Sequence, residues 1–261
     1  MARFVLVHSP WVGPATWRPV ASVLASERVL VPDLTGVWDE PGPWQPRLVD
    51  RVAHEVTGVR GPVPGGSAEH YDPASNGYAR TTGYPPDAPV VAVPREPVVL
   101  VAHSGAGPLL PGIAAEVVRR GTAVESLILV DSPMPYPGRS WAQEAPPELV
   151  AHLRADVLDG RLAPWHRWFP AEALVELVPE AARRAAVSSE IPAVPAAYLD
   201  EPVPADRWAG PAGYLLLSDG YRDDAARARA AGWRVAELPS DHLAVLTRPA
   251  EVAAMITDLS S

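Results

Sequence analysis

The sequence predicts an α/β protein with a mostly parallel central sheet, because short apolar runs alternate along it with helix-like stretches. The runs are rich in Val, Leu and Ile without internal alternation, as expected for strands that are covered on both faces. The predicted strands are residues 4–7, 29–31, 98–102, 127–130, 214–217 and a run around 235–238.

Helices are predicted between these strands, where apolar residues recur at spacings of three and four. The predicted helices are residues 17–26, 45–59, 107–120, 223–231 and 249–259. With helices placed between successive strands, we expect both faces of the sheet to be covered.

Two segments interrupt the alternation. Residues 61–97 are rich in Gly, Pro, Ser and Tyr and are far longer than a usual connection, so they form either a functional loop or a disordered insert. Residues 134–210 contain helical patterns at 147–158, 170–178 and 179–189, which predict a helical cap between two strands. The core then comprises residues 1–133 and 211–261.

The predicted cap is rich in large rings, which can form its core or line an apolar pocket. These rings belong to Trp141, Trp165, Trp168, Phe169 and Trp208. If the first four face the sheet edge, they predict a site for a small apolar substrate.

Composition excludes several classes of function. The chain of 261 residues has a net charge of -9, and its 22 basic residues, all Arg, form no basic stripe, so nucleic acid is a poor partner. Without cysteine there is no disulfide framework and no thiolate metal site, and no His-Glu-x-x-His motif occurs, so we expect no metal and no cofactor. The N-terminal apolar run is too short for a signal peptide, and no run approaches the ~18 residues of a membrane span. We therefore expect a cytoplasmic monomer or homodimer.

A serine stands at the apex of a predicted strand, turn and helix. Residues 98–107 read Val-Val-Leu-Val-Ala-His-Ser-Gly-Ala-Gly, with Ser104 at the turn. A nucleophile elbow needs small residues two positions before and two after the serine, and Ala102 and Ala106 occupy those positions. Ser104 is therefore the candidate nucleophile.

A histidine follows the last predicted strand and precedes the last helix, where it can return to Ser104 as a base. It is His242, in the sequence Ser-Asp-His-Leu at 240–243. The order of serine, acid and histidine along the chain is the hydrolase order. The other histidines are interpreted as packing or surface residues: His8, His54, His70, His103, His152 and His166.

Two aspartates are candidates for the acid that orients His242. Asp219 follows the predicted strand 214–217 and begins an Asp-Gly turn, and it is favoured on this position. Asp131 closes the preceding strand and is the alternative. Three other aspartates near the site are interpreted as caps or surface charges: Asp223, Asp224 and Asp241.

Both ends of the chain resemble the α/β-hydrolase family. Residues 5–17, Val-Leu-Val-His-Ser-Pro-Trp-Val-Gly-Pro-Ala-Thr-Trp, resemble the His-Gly-Ala-Trp-x-Gly-x-x-x-Trp start of small plant esterases and hydroxynitrile lyases. Residues 241–249, Asp-His-Leu-Ala-Val-Leu-x-x-Pro, are similar to their catalytic-histidine loop. The resemblance covers the chain outside residues 61–97 and implies the α/β-hydrolase fold with an inserted cap.

The resemblance also implies an oxyanion hole, with one departure. The amide of Gly105 takes the place of the donor that follows the nucleophile. The other donor falls on Pro10, which has no N–H, and the family's glycine falls on Ser9. The amide of Trp11 or the hydroxyl of Ser9 is the candidate replacement.

Together these residues predict a serine hydrolase that acts on an apolar ester, lactone or thioester through an acyl-enzyme. Because Pro10 removes a donor, a non-hydrolytic triad enzyme stays open: a lyase, cyclase or rearrangement enzyme of secondary metabolism that acts on a natural-product intermediate. A dinucleotide-binding oxidoreductase is a further alternative, since Gly105, Gly107 and Asp131 partly imitate that motif, although Leu110 replaces the third glycine. The last alternative is a non-catalytic binding protein with the same fold.

Overall fold

The computed structural model describes residues 3–24, 29–58, 96–170 and 172–261. Apart from Glu96 and Pro97, the predicted insert at 61–97 lies outside the described residues, as does His70. The described chain forms a six-stranded sheet with the order β2-β1-β3-β4-β5-β6, and every neighbouring pair is parallel. The predicted α/β fold with a parallel central sheet is confirmed.

The strands lie where the apolar runs predict them. They are β1 Arg3–Val7, β2 Val29–Leu30, β3 Val98–His103, β4 Val124–Val130, β5 Ala212–Leu216 and β6 Arg234–Glu237. Because all six run in one direction, their carboxyl ends share one edge of the sheet, where ligands bind in open α/β folds. The residues after β3, β4, β5 and β6 therefore all leave the sheet at that edge.

The helices account for each predicted helical pattern and add two four-residue helices. They are α1 Arg18–Val23, α2 Trp44–Thr57, α3 Leu110–Arg119, α4 Trp141–Glu144, α5 Pro147–Ala155, α6 Ala173–Leu177, α7 Ala181–Ser188, α8 Arg222–Ala230, α9 Ala244–Thr247 and α10 Pro249–Leu259. The segment 134–210 contains α4 to α7, and its role as a cap stays a prediction.

Helices cover both faces of the sheet, because successive side chains of a strand point to opposite faces. From β3, Leu100 joins a buried cluster with residues of α2, α3 and α8, whereas its neighbour Val101 joins a second cluster with residues of α1 and α10. This two-sided burial explains why the strands read as continuous apolar runs. Within the described ranges, no helix combines the length and apolar character needed to cross a membrane.

Candidate active site

Ser104 occupies a sharp turn between β3 and α3. Its φ of 57° lies in the left-handed region, which non-glycine residues rarely adopt and which is typical of a strained nucleophile turn. Ala102 and Ala106 are fully buried on either side of it. A Cβ on Gly107 would lie 1.9 Å from Ser132 Oγ, so only glycine allows the turn to approach the segment after β4 this closely.

A chain of hydrogen bonds connects three predicted site residues. His242 Nδ1 lies 2.7 Å from Asp131 Oδ2, and His242 Nε2 lies 3.0 Å from Ser104 Oγ. The carboxylate can only accept, so Nδ1 carries the proton and Nε2 is left to accept the hydrogen bond from the Ser104 hydroxyl. This arrangement can take a proton from Ser104 and stabilise the imidazolium that forms.

The Asp131 carboxylate is fully buried and fully hydrogen-bonded. Its Oδ1 accepts from the amides of Leu217 and Ser218 at 2.9 Å each, and its Oδ2 accepts from the Ser218 hydroxyl at 2.6 Å and from His242. Burial by itself would raise its pKa, but the hydrogen bonds from His242 and Ser218 outweigh burial and hold the pKa of Asp131 below its ordinary value. The group is therefore a charged carboxylate at neutral pH.

Asp219, the acid favoured on sequence position, does not contact His242. Its side chain is 89% exposed and forms an ion pair with Arg222, the first residue of α8. The side chain at the end of β5 that points into the site is instead Ser218, which donates to Asp131. Position at a strand end identifies the edge of the sheet, but it does not say which neighbouring residue points inward.

The His242 ring lies between two other rings. His103 stacks on it with centroids 4.6 Å apart and donates from Nε2 to the His242 carbonyl at 2.9 Å, and Tyr221 stacks with centroids 5.2 Å apart. Burial, and then repulsion from a charged His242, lowers the pKa of His103 to about 3. Both partners are therefore uncharged at neutral pH, and they fix the plane of the imidazole.

Tyr221 is a site residue that the sequence analysis missed. Besides stacking on His242, Tyr221 lines the cavity together with Ser104. Burial raises the pKa of Tyr221 to about 12, so its hydroxyl stays protonated at neutral pH. The sequence feature that could have indicated Tyr221 is its position as an aromatic residue directly after the Asp-Gly turn at the end of β5. His103, interpreted from the sequence as a packing residue, supports His242 from the other side.

An apolar cavity of about 340 Å³ opens above Ser104. All four rings predicted to line a pocket do so, and they are Trp141, Trp165, Trp168 and Phe169. Trp208 lies elsewhere and donates from Nε1 to the Pro211 carbonyl at 2.9 Å. Further apolar walls, which the sequence analysis did not single out, come from Leu149, Leu174, Leu177 and Leu243.

The loop after β1 forms the other wall of the site. The Val12 amide donates to the Ser9 carbonyl at 3.2 Å, so Pro10 and Trp11 are the central residues of a turn, and proline suits the first of these positions. The Trp11 amide points to Ser9 Oγ at 3.5 Å. From this loop, it is the Trp11 ring that reaches the cavity, close to Gly105.

The family of this chain can be identified by comparison with known protein families. The model of the Alpha/beta hydrolase family matches residues 4–255. The chain belongs to the alpha/beta hydrolase family. This membership removes the dinucleotide-binding alternative, because Gly105 and Gly107 belong to the turn that holds Ser104. No curated protein matches the chain.

Several solved structures share this alpha/beta hydrolase fold. An extracellular alpha/beta-hydrolase from a Paenibacillus species, described as a structural and functional homologue of tobacco salicylic acid binding protein 2, is 17% identical with a TM-score of 0.67, and the match covers 99% of each chain. A pyrethroid hydrolase from Sphingobium faniae JZ-2 is 17% identical with a TM-score of 0.62, covering 99% of this chain and 97% of the other. Polyneuridine aldehyde esterase is 16% identical with a TM-score of 0.61, covering both chains in full. At these identities the structures show a shared fold, and the family match supports an enzyme of the hydrolase type.

Over the described ranges, no group of three or more His, Asp or Glu side chains is placed to hold a metal ion. The side chains around Ser104 are suited to proton transfer and nucleophilic attack.

Proposed function

We propose that this chain hydrolyses apolar esters, lactones or thioesters through an acyl-enzyme on Ser104. The observation that carries the proposal is the chain of hydrogen bonds from Asp131 through His242 to Ser104, at the floor of an apolar cavity. A serine hydroxyl is a weak nucleophile, and an oriented imidazole within hydrogen-bond distance is what activates it.

The proposed reaction has two halves. Ser104 Oγ attacks the carbonyl carbon while His242 Nε2 takes the hydroxyl proton, and the carbonyl electron pair moves onto oxygen near the Gly105 amide. The bond to the leaving group then breaks as His242 returns the proton to it. Water, deprotonated by His242, attacks the acyl-enzyme and releases the acid and Ser104.

The cavity supports an apolar acyl group as the substrate class. Its volume of about 340 Å³ is within the usual range of small-molecule sites, and tryptophan, phenylalanine and leucine side chains dominate its lining. A pyrethroid hydrolase and an esterase are among the proteins with this fold. We therefore favour aromatic or branched acyl groups over acetyl.

A second candidate function rests on Pro10, which lacks the amide hydrogen that the family resemblance places there. With a weaker oxyanion hole, the same three residues could serve proton transfer in a lyase, cyclase or rearrangement reaction on a natural-product intermediate. An acyl-enzyme that accumulates on Ser104 would favour hydrolysis, since proton-transfer chemistry does not form one.

Other predictions from the sequence stay predictions. They are the cytoplasmic location, the monomeric or homodimeric state, the lack of a nucleic-acid partner and the lack of a cofactor. The proposed mechanism uses side chains, a main-chain amide and water.

Hydrolysis of aryl esters tests the proposed function. We expect a higher kcat/KM for p-nitrophenyl benzoate than for p-nitrophenyl acetate, because the benzoyl ring can be buried in the cavity. Trp165 lines the cavity and packs on Phe169 with centroids 5.5 Å apart. Trp165→Ala should therefore lower the benzoate-to-acetate ratio of kcat/KM about tenfold, by removing apolar contact with the substrate.

Trp208→Ala is the matched control, since this ring lies in the same segment but away from the cavity. Its ratio should equal that of the unmodified protein. An unchanged ratio in Trp165→Ala would mean that the ring only packs the segment. Failure of the unmodified protein to hydrolyse either ester would refute the hydrolase proposal itself.

A further inference from the structure

The proposed hydrolysis needs two hydrogen-bond donors for the developing oxyanion, and the main chain supplies one of them. It is the amide of Gly105, the residue that follows the nucleophile and lines the cavity. The matching position on the loop after β1 is Pro10, which has no hydrogen to donate. Losing one such donor typically lowers kcat by about 10²–10³, so a hydrolase with this sequence requires a replacement.

An indole N–H lies where the replacement is needed. Trp11 Nε1 is 2.9 Å, and its neighbour Cδ1 3.2 Å, from the position that a Cβ on Gly105 would take. Because Gly105 has no Cβ, the N–H edge of the indole lies against the backbone that carries the Gly105 amide. An oxygen bound by that amide is therefore close to Nε1 as well.

The Trp11 N–H is free to bind a substrate. Within the part of the chain that the structure describes, it has no hydrogen-bond acceptor, and Trp11 lines the same cavity as Ser104 and His242. Trp168, which lines the cavity too, differs in this respect, because its Nε1 already donates to the Ala163 carbonyl at 2.8 Å. An unused donor at the edge of an apolar cavity is suited to a charge that appears only during reaction.

Neighbouring rings hold the indole in place. Trp11 makes edge contacts with Trp141, Trp168 and Tyr198, with centroids 5.8, 5.1 and 5.4 Å apart. The ring is 5% exposed. A donor fixed by packing before the substrate arrives costs little reorganisation during the reaction, which is the condition for an effective oxyanion donor.

The Ser9 hydroxyl is the competing candidate, at 3.0 Å from the same Cβ position on Gly105. Ser9 is 2% exposed, and its hydroxyl faces the Trp11 amide at 3.5 Å. The cavity wall at this point is the Trp11 ring rather than Ser9. The substrate oxygen therefore meets the indole first.

We propose that the indole N–H of Trp11 is the second oxyanion donor, acting with the Gly105 amide in place of the amide that Pro10 lacks. The inference rests on the proposed hydrolase function and assigns a catalytic role to a side chain of that site. It provides a route by which a chain with proline at this position can still stabilise a tetrahedral intermediate.

Two substitutions of Trp11 separate donation from packing. Trp11→Phe keeps much of the ring but has no N–H, whereas Trp11→His loses more of the ring and can place its Nε2–H near the position of the indole N–H. At about pH 8.5 the introduced imidazole is neutral. We expect Trp11→Phe to lower kcat for p-nitrophenyl benzoate about a hundredfold with little change in KM, and Trp11→His to retain at least tenfold more kcat.

If Trp11 serves only in packing, Trp11→Phe should have a higher kcat than Trp11→His. A kcat of Trp11→Phe equal to or above that of Trp11→His would therefore overturn the proposal. A hundredfold loss in Ser9→Ala with a near-normal Trp11→Phe would overturn it as well, in favour of the hydroxyl. The matched control is Trp38→Phe, because the Trp38 indole is buried with an unpartnered N–H in the same ring cluster but does not line the cavity. Its kcat should stay within a few-fold of the unmodified protein.

Gly105→Ala keeps the test decisive if Trp11→Phe does not fold. The added Cβ would lie 2.9 Å from Nε1 and displace the indole, so unchanged kcat in this variant would contradict the proposal. Inactivation by an aryl fluorophosphonate distinguishes this failure from failure of the proposed function. Rapid labelling of Ser104 together with unchanged rates in the Trp11 variants would remove only the donor assignment, whereas an unmodified protein that neither hydrolyses esters nor reacts with the reagent would remove both.

Discussion

Replacing Ser104 with alanine is expected to lower kcat for p-nitrophenyl benzoate by roughly a million-fold, the size of loss seen when a nucleophile is removed from an intact serine triad. In the part of the chain that the structure describes, the hydroxyl hydrogen-bonded to His242 Nε2 is that of Ser104, at 3.0 Å, so the substitution removes the group that would form the acyl-enzyme. The remaining rate would come from binding and from the oxyanion donors alone.

The measurement combines kinetics with mass spectrometry. An aryl fluorophosphonate should add one phosphonyl group to the peptide that contains Ser104 in the unmodified protein and none to that peptide in Ser104→Ala. A melting curve close to that of the unmodified protein is the control for folding, since the substitution removes one hydroxyl from a residue that is 9% exposed. Turnover in Ser104→Ala near the rate of the unmodified protein would contradict the assigned nucleophile.

Accumulation of an intermediate separates hydrolysis from the alternative chemistry. If deacylation is slow, mixing the enzyme with excess substrate should give a burst of p-nitrophenol equal to the amount of enzyme, together with a benzoyl group on Ser104. A serine that reacts with the fluorophosphonate but never carries an acyl group would instead favour the lyase, cyclase or rearrangement reaction.

The nucleophile turn and the histidine loop were predictable because each is a local pattern. Small residues around Ser104 are required by the turn itself, and His242 is placed by the boundary between the last strand and the last helix. The parallel direction of the strands then places both segments at one edge of the sheet, independently of how the side chains pack. These features need no knowledge of how distant residues pack.

The acid could not be resolved from the sequence, because the choice depends on which side chain faces across the sheet edge. Asp131 and Asp219 both follow strands, and the Asp-Gly turn made Asp219 look the better candidate. In the structure Asp131 has a φ of 44°, and its carboxylate accepts amides from the end of β5. Those contacts join two adjacent strands and leave no periodic signal in either.

The large rings of segment 134–210 were likewise predictable only in part. Their abundance predicted an apolar pocket, but composition alone did not separate Trp165, which lines the cavity, from Trp208, which does not. The orientation of Trp11 was also beyond the sequence, since a ring in a turn has no helical or strand period to fix its direction. Its N–H edge is set by the packing of three rings from the segment after β4.

The acid itself can be tested by a matched pair of substitutions. Asp131→Asn is expected to lower kcat by about 10⁴, because the amide presents N–H groups to His242 and favours the tautomer with its proton on Nε2. That nitrogen could then no longer accept the Ser104 proton. Asp219→Asn should leave kcat within a few-fold of the unmodified protein, since this carboxylate is 89% exposed and paired with Arg222.

The two variants should be compared at the same pH near neutrality, where Asp131 is charged because its pKa lies below the ordinary value. Fluorophosphonate labelling of Ser104 should slow in Asp131→Asn as well, because the reagent also requires a proton to leave the hydroxyl. Urea unfolding of both variants shows whether an observed loss of rate reflects loss of the fold. A near-normal rate in Asp131→Asn would refute the proposed role of this carboxylate, and a large loss confined to Asp219→Asn would transfer the role to the acid at the end of β5, in spite of its distance from His242.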